Sequence, residues 1–156
     1  MTLVLFVGCE NSASTLFGVI SGGGGGITAT EATGSWTFTV QQNTTLPACT
    51  APLANSQTII AHLDVLSDGT LNTTSSWLNP ISGAVEPLTG AVALSSGLTD
   101  LFFAAPAVRS DAQMELRGTM TALGGFTGTL TDPEPGFSQV FGTGGCAYNV
   151  AGIKTG

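Results

Sequence analysis

The chain has 156 residues and a formal net charge of -7, and only 8% of its residues are charged, against roughly 25% in an average soluble domain. That length leaves room for one domain with a genuine core, whose surface must be built from Thr, Ser, Asn and Gly. Arg109, Arg117 and Lys154 are the only Lys or Arg residues, so there is no basic patch to neutralise phosphate; nucleic acid is excluded as an expected partner, and attachment to an anionic membrane would need an anchor.

Met1 to Gly8 is a short apolar run that ends at Cys9. The stretch Phe6, Val7, Gly8, Cys9 resembles the lipobox of bacterial lipoproteins, in which an apolar residue and two small ones precede a cysteine that is lipidated and becomes the new N-terminus. The resemblance implies a lipid anchor at Cys9 and an extracytoplasmic location, in the periplasm or at the cell surface. Phe6 stands where Leu is commonest, and the leader lacks the basic n-region and length of a secretory signal; a start codon assigned too far downstream would account for the latter. Glu10 to Ser21 is polar and rich in small residues around Leu16, Phe17, Val19 and Ile20, and Gly22 to Gly26 is an uninterrupted glycine run. Such a chain behaves as flexible coil, and Glu10 to Glu31 would span about 25 Å. Residues 1–33 are therefore read as a signal-like segment and tether, the alternative being a terminal segment with an accidental cysteine. The glycine run lacks the Lys-Ser/Thr and the helix of a phosphate cradle. No run reaches the roughly 18 apolar residues needed to cross a bilayer, so the expectation is a protein anchored rather than threaded.

The domain, residues 34–156, opens on the stretch around which the rest is organised. Trp36, Phe38 and Val40 alternate with Thr37, Thr39 and Gln41, the pattern of a half-buried strand. Pro47 and Pro52 then break any ladder. Gln57 to Leu66 resumes the alternation with Ile59, Ala61, Leu63 and Val65 on one face and His62 and Asp64 on the other. Asp68-Gly69 signals a tight turn, after which Leu71 to Leu78 should pair back. Gly83 to Leu94 is weaker because Pro87 interrupts it, and reads as an irregular stretch followed by a short strand near Gly90 to Leu94. Leu98 to Ala105 suits either a strand buried on both faces or a helical turn beginning at Thr99-Asp100. The clearest hairpin follows: Met114, Leu116, Gly118 and Met120 face one way, Leu123-Gly124-Gly125 turns, and Phe126, Gly128 and Leu130 alternate with threonines. Residues 132–145 read as a loop carrying two aromatics, Phe137 and Phe141, as candidate partner contacts. Cys146 to Thr155 is the last strand, with Tyr148 and Val150 on one side.

About seven or eight short antiparallel strands, with no convincing amphipathic helix, either stack as two sheets or close on themselves. A disulfide between Cys49 and Cys146 would join the two ends of the domain and, in the chain-entropy model, contribute about 4–5 kcal/mol; the alternative is two buried free thiols. Adjacent termini favour a single antiparallel up-and-down β-barrel with a flexible Gly-rich N-terminal arm. The order of motifs resembles small lipocalin-like domains of bacterial lipoproteins: a Gly-x-Trp strand at Gly34 to Trp36, a cysteine at Cys49, Gly-Thr-Leu hairpins at Gly69 and Gly128, and Cys146 followed by Tyr148. The basic residue that accompanies the lipocalin signature is not evident, so ligand transport does not carry over.

No reaction chemistry is legible. His62 is the single histidine and lacks the partner spacing of a metal site, no Gly-x-Ser-x-Gly elbow occurs, and the carboxylate pairs sit in or beside polar loops. The chain is read as non-enzymatic, with no cofactor and no metal. Two functions remain. One is a membrane-tethered accessory subunit of a larger membrane complex, for example respiratory or photosynthetic, in contact with other protein subunits. The other is a barrel holding a small apolar ligand, with Trp36, Phe38, Trp77, Phe103, Met114 and Met120 lining the interior.

Overall fold

The structure is a computed structural model that describes residues 26–42, 57–107, 109–132 and 146–156, with the side chains of Gln42, Asp132 and Cys146 outside that description. Eight strands, β1 (Gly34–Gln42), β2 (Gln57–Leu63), β3 (Ser76–Leu78), β4 (Val85–Ala93), β5 (Leu98–Ala104), β6 (Gln113–Met120), β7 (Gly125–Asp132) and β8 (Cys146–Lys154), follow one helical turn, α1 (Ala29–Ala32). Each strand pairs antiparallel with its chain neighbours, and β1 pairs with β8, so the sheet is a closed up-and-down barrel. Closure leaves no strand edge open to another chain.

The alternation read in the sequence decides which face of each strand turns inward. Trp36, Phe38 and Val40 of β1, Ile59, Ala61 and Leu63 of β2, Met114, Leu116 and Met120 of β6, and Tyr148 and Val150 of β8 are all buried. Leu101 and Phe103 are buried on β5 while Phe102 is half-buried on the outer face, which settles that stretch as a strand rather than a helical turn.

Two stretches differ from expectation. Between Leu71 and Leu78 only β3 is regular strand; Leu71 makes an isolated bridge to Val65, and a bulge between them is held by Asp64, whose carboxylate accepts from Asn72 Nδ2 at 2.8 Å and from the Thr74 hydroxyl at 2.5 Å. β4, by contrast, runs unbroken through Pro87. Leu88 N donates to Ser75 O, so the Pro87 nitrogen faces β5, beyond the last residue pair of that ladder, Leu88 with Phe103. The missing N–H therefore removes no ladder bond.

Residues 26–33, placed in the tether by the sequence, pack on the barrel. Ile27 and Ala32 belong to the core. Thr28 and Glu31 form a reciprocal capping box on α1, with Thr28 N donating to the Glu31 carboxylate at 2.7 Å. The segment bonds to three places around one end of the barrel: Ile27 N to Leu94 O, Val65 N to Thr33 Oγ1, and Lys154 Nζ to the carbonyls of Thr30 and Glu31. Trp36 Nε1 donates to Ala32 O at 2.9 Å. This end is closed; the turn 79–84 and the connection from β5 to β6 leave from the other, where β1 and β7 also end and β2 and β8 begin.

Candidate functional site

Of the six side chains named for the barrel interior, Trp36, Phe38, Phe103 and Met114 are fully buried, and Trp77 and Met120 are 1% exposed. Their rings also touch one another. Phe38 of β1 meets Phe103 of β5, the strand opposite it in the ring, edge-on at 6.3 Å, Phe103 meets Trp77 at 5.5 Å, and Phe38 stacks on Trp36 at 6.0 Å and meets Phe126 at 5.3 Å. A chain of aromatics thus crosses the lumen. Glycine on the inner face makes room for it: a Cβ on Gly152 would lie 2.6 Å from Phe38 Cδ1, whereas one on Gly128 would meet the Arg117 backbone carbonyl before Phe126 Cζ.

At the loop-bearing end the inner face becomes polar. Glu86 is paired with Trp77 across β3 and β4 and is only 5% exposed. Trp77 Nε1 donates to Ala104 O at 2.7 Å. Asn79 is fully buried; its Oδ1 accepts from the backbone N–H groups of Ile81 and Ser82, which fixes the amide orientation and leaves Nδ2, among the described residues, the one buried side-chain nitrogen or oxygen without a partner. Neither residue was singled out in the sequence. Counting back by twos from Leu88 places Glu86 inside, a signal that Pro87 obscured.

β1 ends beside β8, with Gln42 opposite Tyr148, and β8 begins with Cys146 opposite Asp132. The expected Cys49–Cys146 bond, the lipid site Cys9 and the candidate contacts Phe137 and Phe141 lie outside the described residues.

The outer wall is asymmetric in charge. Among the described residues the charged side chains facing outward from strands are Asp100 of β5 and Glu115 and Arg117 of β6. Arg117 Nη2 lies 2.7 Å from Glu115 Oε1 and its Nε 3.5 Å from Asp100 Oδ1. Partial burial, with Asp100 beside it, pushes the Glu115 carboxyl up, and Asp100 raises the Arg117 guanidinium. Outside the strands, the Arg109 guanidinium 2.6 Å from Asp111 holds that carboxyl below its ordinary range. Around the rest of the wall, β7, β8 and β1 to β4 turn outward Thr, Ser, Asn, Gln, Ala, His62 and a row of larger apolar side chains. Ile60, Leu78 and Val85 are cross-strand neighbours in one line, and Thr37 joins Ile60 to Ile153 on the other side. They are 52%, 42%, 71% and, for Ile153, 60% exposed, and Ile81 in the adjoining turn is 48% exposed. A separate groove of about 630 Å³ lies across β4 to β7, lined by Ala91, Ala93, Leu98, Thr99, Asp100, Arg117, Gly118, Thr119, Gly128 and Thr129.

His62 stands exposed on the outer face of β2, and among the described residues no group of three His, Cys, Asp or Glu is placed to hold a metal ion. The features together define a class: a closed eight-stranded antiparallel barrel with an aromatic-filled lumen and a largely uncharged outer wall. No protein-family model, no curated protein and no solved structure matches the chain.

Proposed function

We propose that the protein is a non-enzymatic, membrane-tethered extracytoplasmic barrel that acts as an accessory subunit of a larger membrane protein complex. The observation that carries this reading is the line of exposed Ile60, Leu78 and Val85, extended by Ile81. Apolar residues gathered on a wall free of charge are the kind of surface that other proteins cover. The Cys9 lipobox supplies the tether. The lumen supports the same reading, because a small apolar ligand would need the space that Phe38, Phe103 and Trp77 occupy.

The test is photo-crosslinking in native membranes with a reactive group at Ile60 or Leu78. A discrete partner band that disappears in Val85→Glu, while the same group placed at Thr129 gives none, is the expected result. A monomer with no recovered partner from any of these positions overturns the proposal. Cys9→Ser should move the protein from the membrane fraction to the soluble one, and a variant that stays membrane-bound removes the tether from it.

A further inference from the structure

We propose that the groove across β4 to β7 is the seat of this chain's own N-terminal arm, with Leu16, Phe17, Val19 and Ile20 as its occupants. The arm joins the barrel at the mouth of this groove. Ile27 N is bonded to Leu94 O at 2.8 Å, and Gly26 faces the carbonyls of Leu94 and Ser95. Gly26, the first described residue, therefore lies beside the β4–β5 turn, and Ala93 and Leu98, on either side of that turn, are lining residues of the groove.

Length agrees with position. Ile20 is six residues before Gly26, a reach of up to about 20 Å, whereas the three strand spacings from β4 to β7 amount to about 14 Å. Chemistry agrees as well. No charged residue lies between Glu10 and Glu31, so the arm brings no ion to be desolvated. The near part of the groove offers Ala91, Ala93 and Leu98, the last 59% exposed. The closed barrel has no free strand edge, so the arm would be held by its side chains. All four occupants follow Cys9 and would remain after cleavage at the lipobox. The inference is separate from the membrane reading because it can be read on lipid-free protein.

The experiment compares amide spectra of the full chain carrying Cys9→Ser with the same chain carrying Leu16→Ser and Phe17→Ser in addition. The expected result is movement of the Ala91, Ala93, Leu98, Thr119 and Thr129 signals, with those of Ile60 and Leu78 unmoved, and no change on tenfold dilution of either protein. Groove signals that coincide in the two proteins overturn the assignment. So do groove signals that move on dilution, which would make the occupant a second copy, and changes spread evenly over the barrel, which would make the arm's effect indirect.

Discussion

Gly152 shows at the scale of one residue how the sequence makes a filled barrel. It faces inward between β1 and β7, and the space a side chain would take is held by the Phe38 ring and by Phe126, whose Cβ would be 3.0 Å away. Gly152→Ala must therefore displace an aromatic from its packed position, and overpacking of this kind costs about 1–3 kcal/mol. The obstacle is side chain and not backbone, so shrinking the ring should relieve it. Denaturant titration of Gly152→Ala, Phe38→Leu and the double variant should show a double loss smaller than the two single losses added, by about 0.5–3 kcal/mol. Additive losses would mean that the glycine is there for some reason other than the ring. Gly118 is a different case, since a Cβ there would also meet the Thr127 carbonyl, and no side-chain replacement would make room.

At the scale of elements, what was legible followed from how local the determining signal is. β1, β6, β7 and β8 carry unbroken alternation, and each turns inward the residues the pattern selects. β3 and β4 were misread because residues that look like breakers are judged by their partners. Pro87 is harmless only because its nitrogen faces the end of the β4–β5 ladder, while Asn72 and Thr74 end a strand because Asp64 lies across from them. α1 was missed for its brevity, although Thr28 and Glu31 stand at the capping-box spacing. The outer row was out of reach because Ile60, Leu78 and Val85 become neighbours only through register. The Asp64 bulge gives a prediction in pH. Hydrogen bonds from Thr74 and then Asn72 hold the Asp64 carboxyl below its ordinary value. A carboxyl with a depressed folded-state pKa stabilises the fold above its unfolded pKa, and that contribution is lost as pH falls through the folded value. Asp64→Asn should therefore lower Tm at neutral pH, and the gap to the parent should close as the solution is acidified through the carboxylate range. A gap that is constant with pH would show that the charge on Asp64 plays no part in holding the bulge.

For the whole molecule, the question is whether the barrel is a container or a scaffold, and topology bears on it directly. An eight-stranded barrel is at the size where its own side chains can just fill it or one ligand can occupy it. Here β1 and β5, on opposite sides of the ring, touch through Phe38 and Phe103, and Phe103 in turn carries Trp77. Phe103 is thus the bridge of the lumen, and removing it should turn scaffold into container. Phe103→Ala is expected to cost about 3–5 kcal/mol and to leave an apolar void of the kind that stays dry and admits benzene. Benzene should then raise the Tm of the variant and leave that of the parent unchanged, because a ligand stabilises only a fold that has a place for it. Equal stabilisation of both proteins would show that the parent already holds accessible space, and would return the small apolar ligand to the front as the function of the barrel. No response in either, with the loss of stability present, would show that neighbouring side chains collapse into the gap, and that the lumen is held full by more than this one bridge.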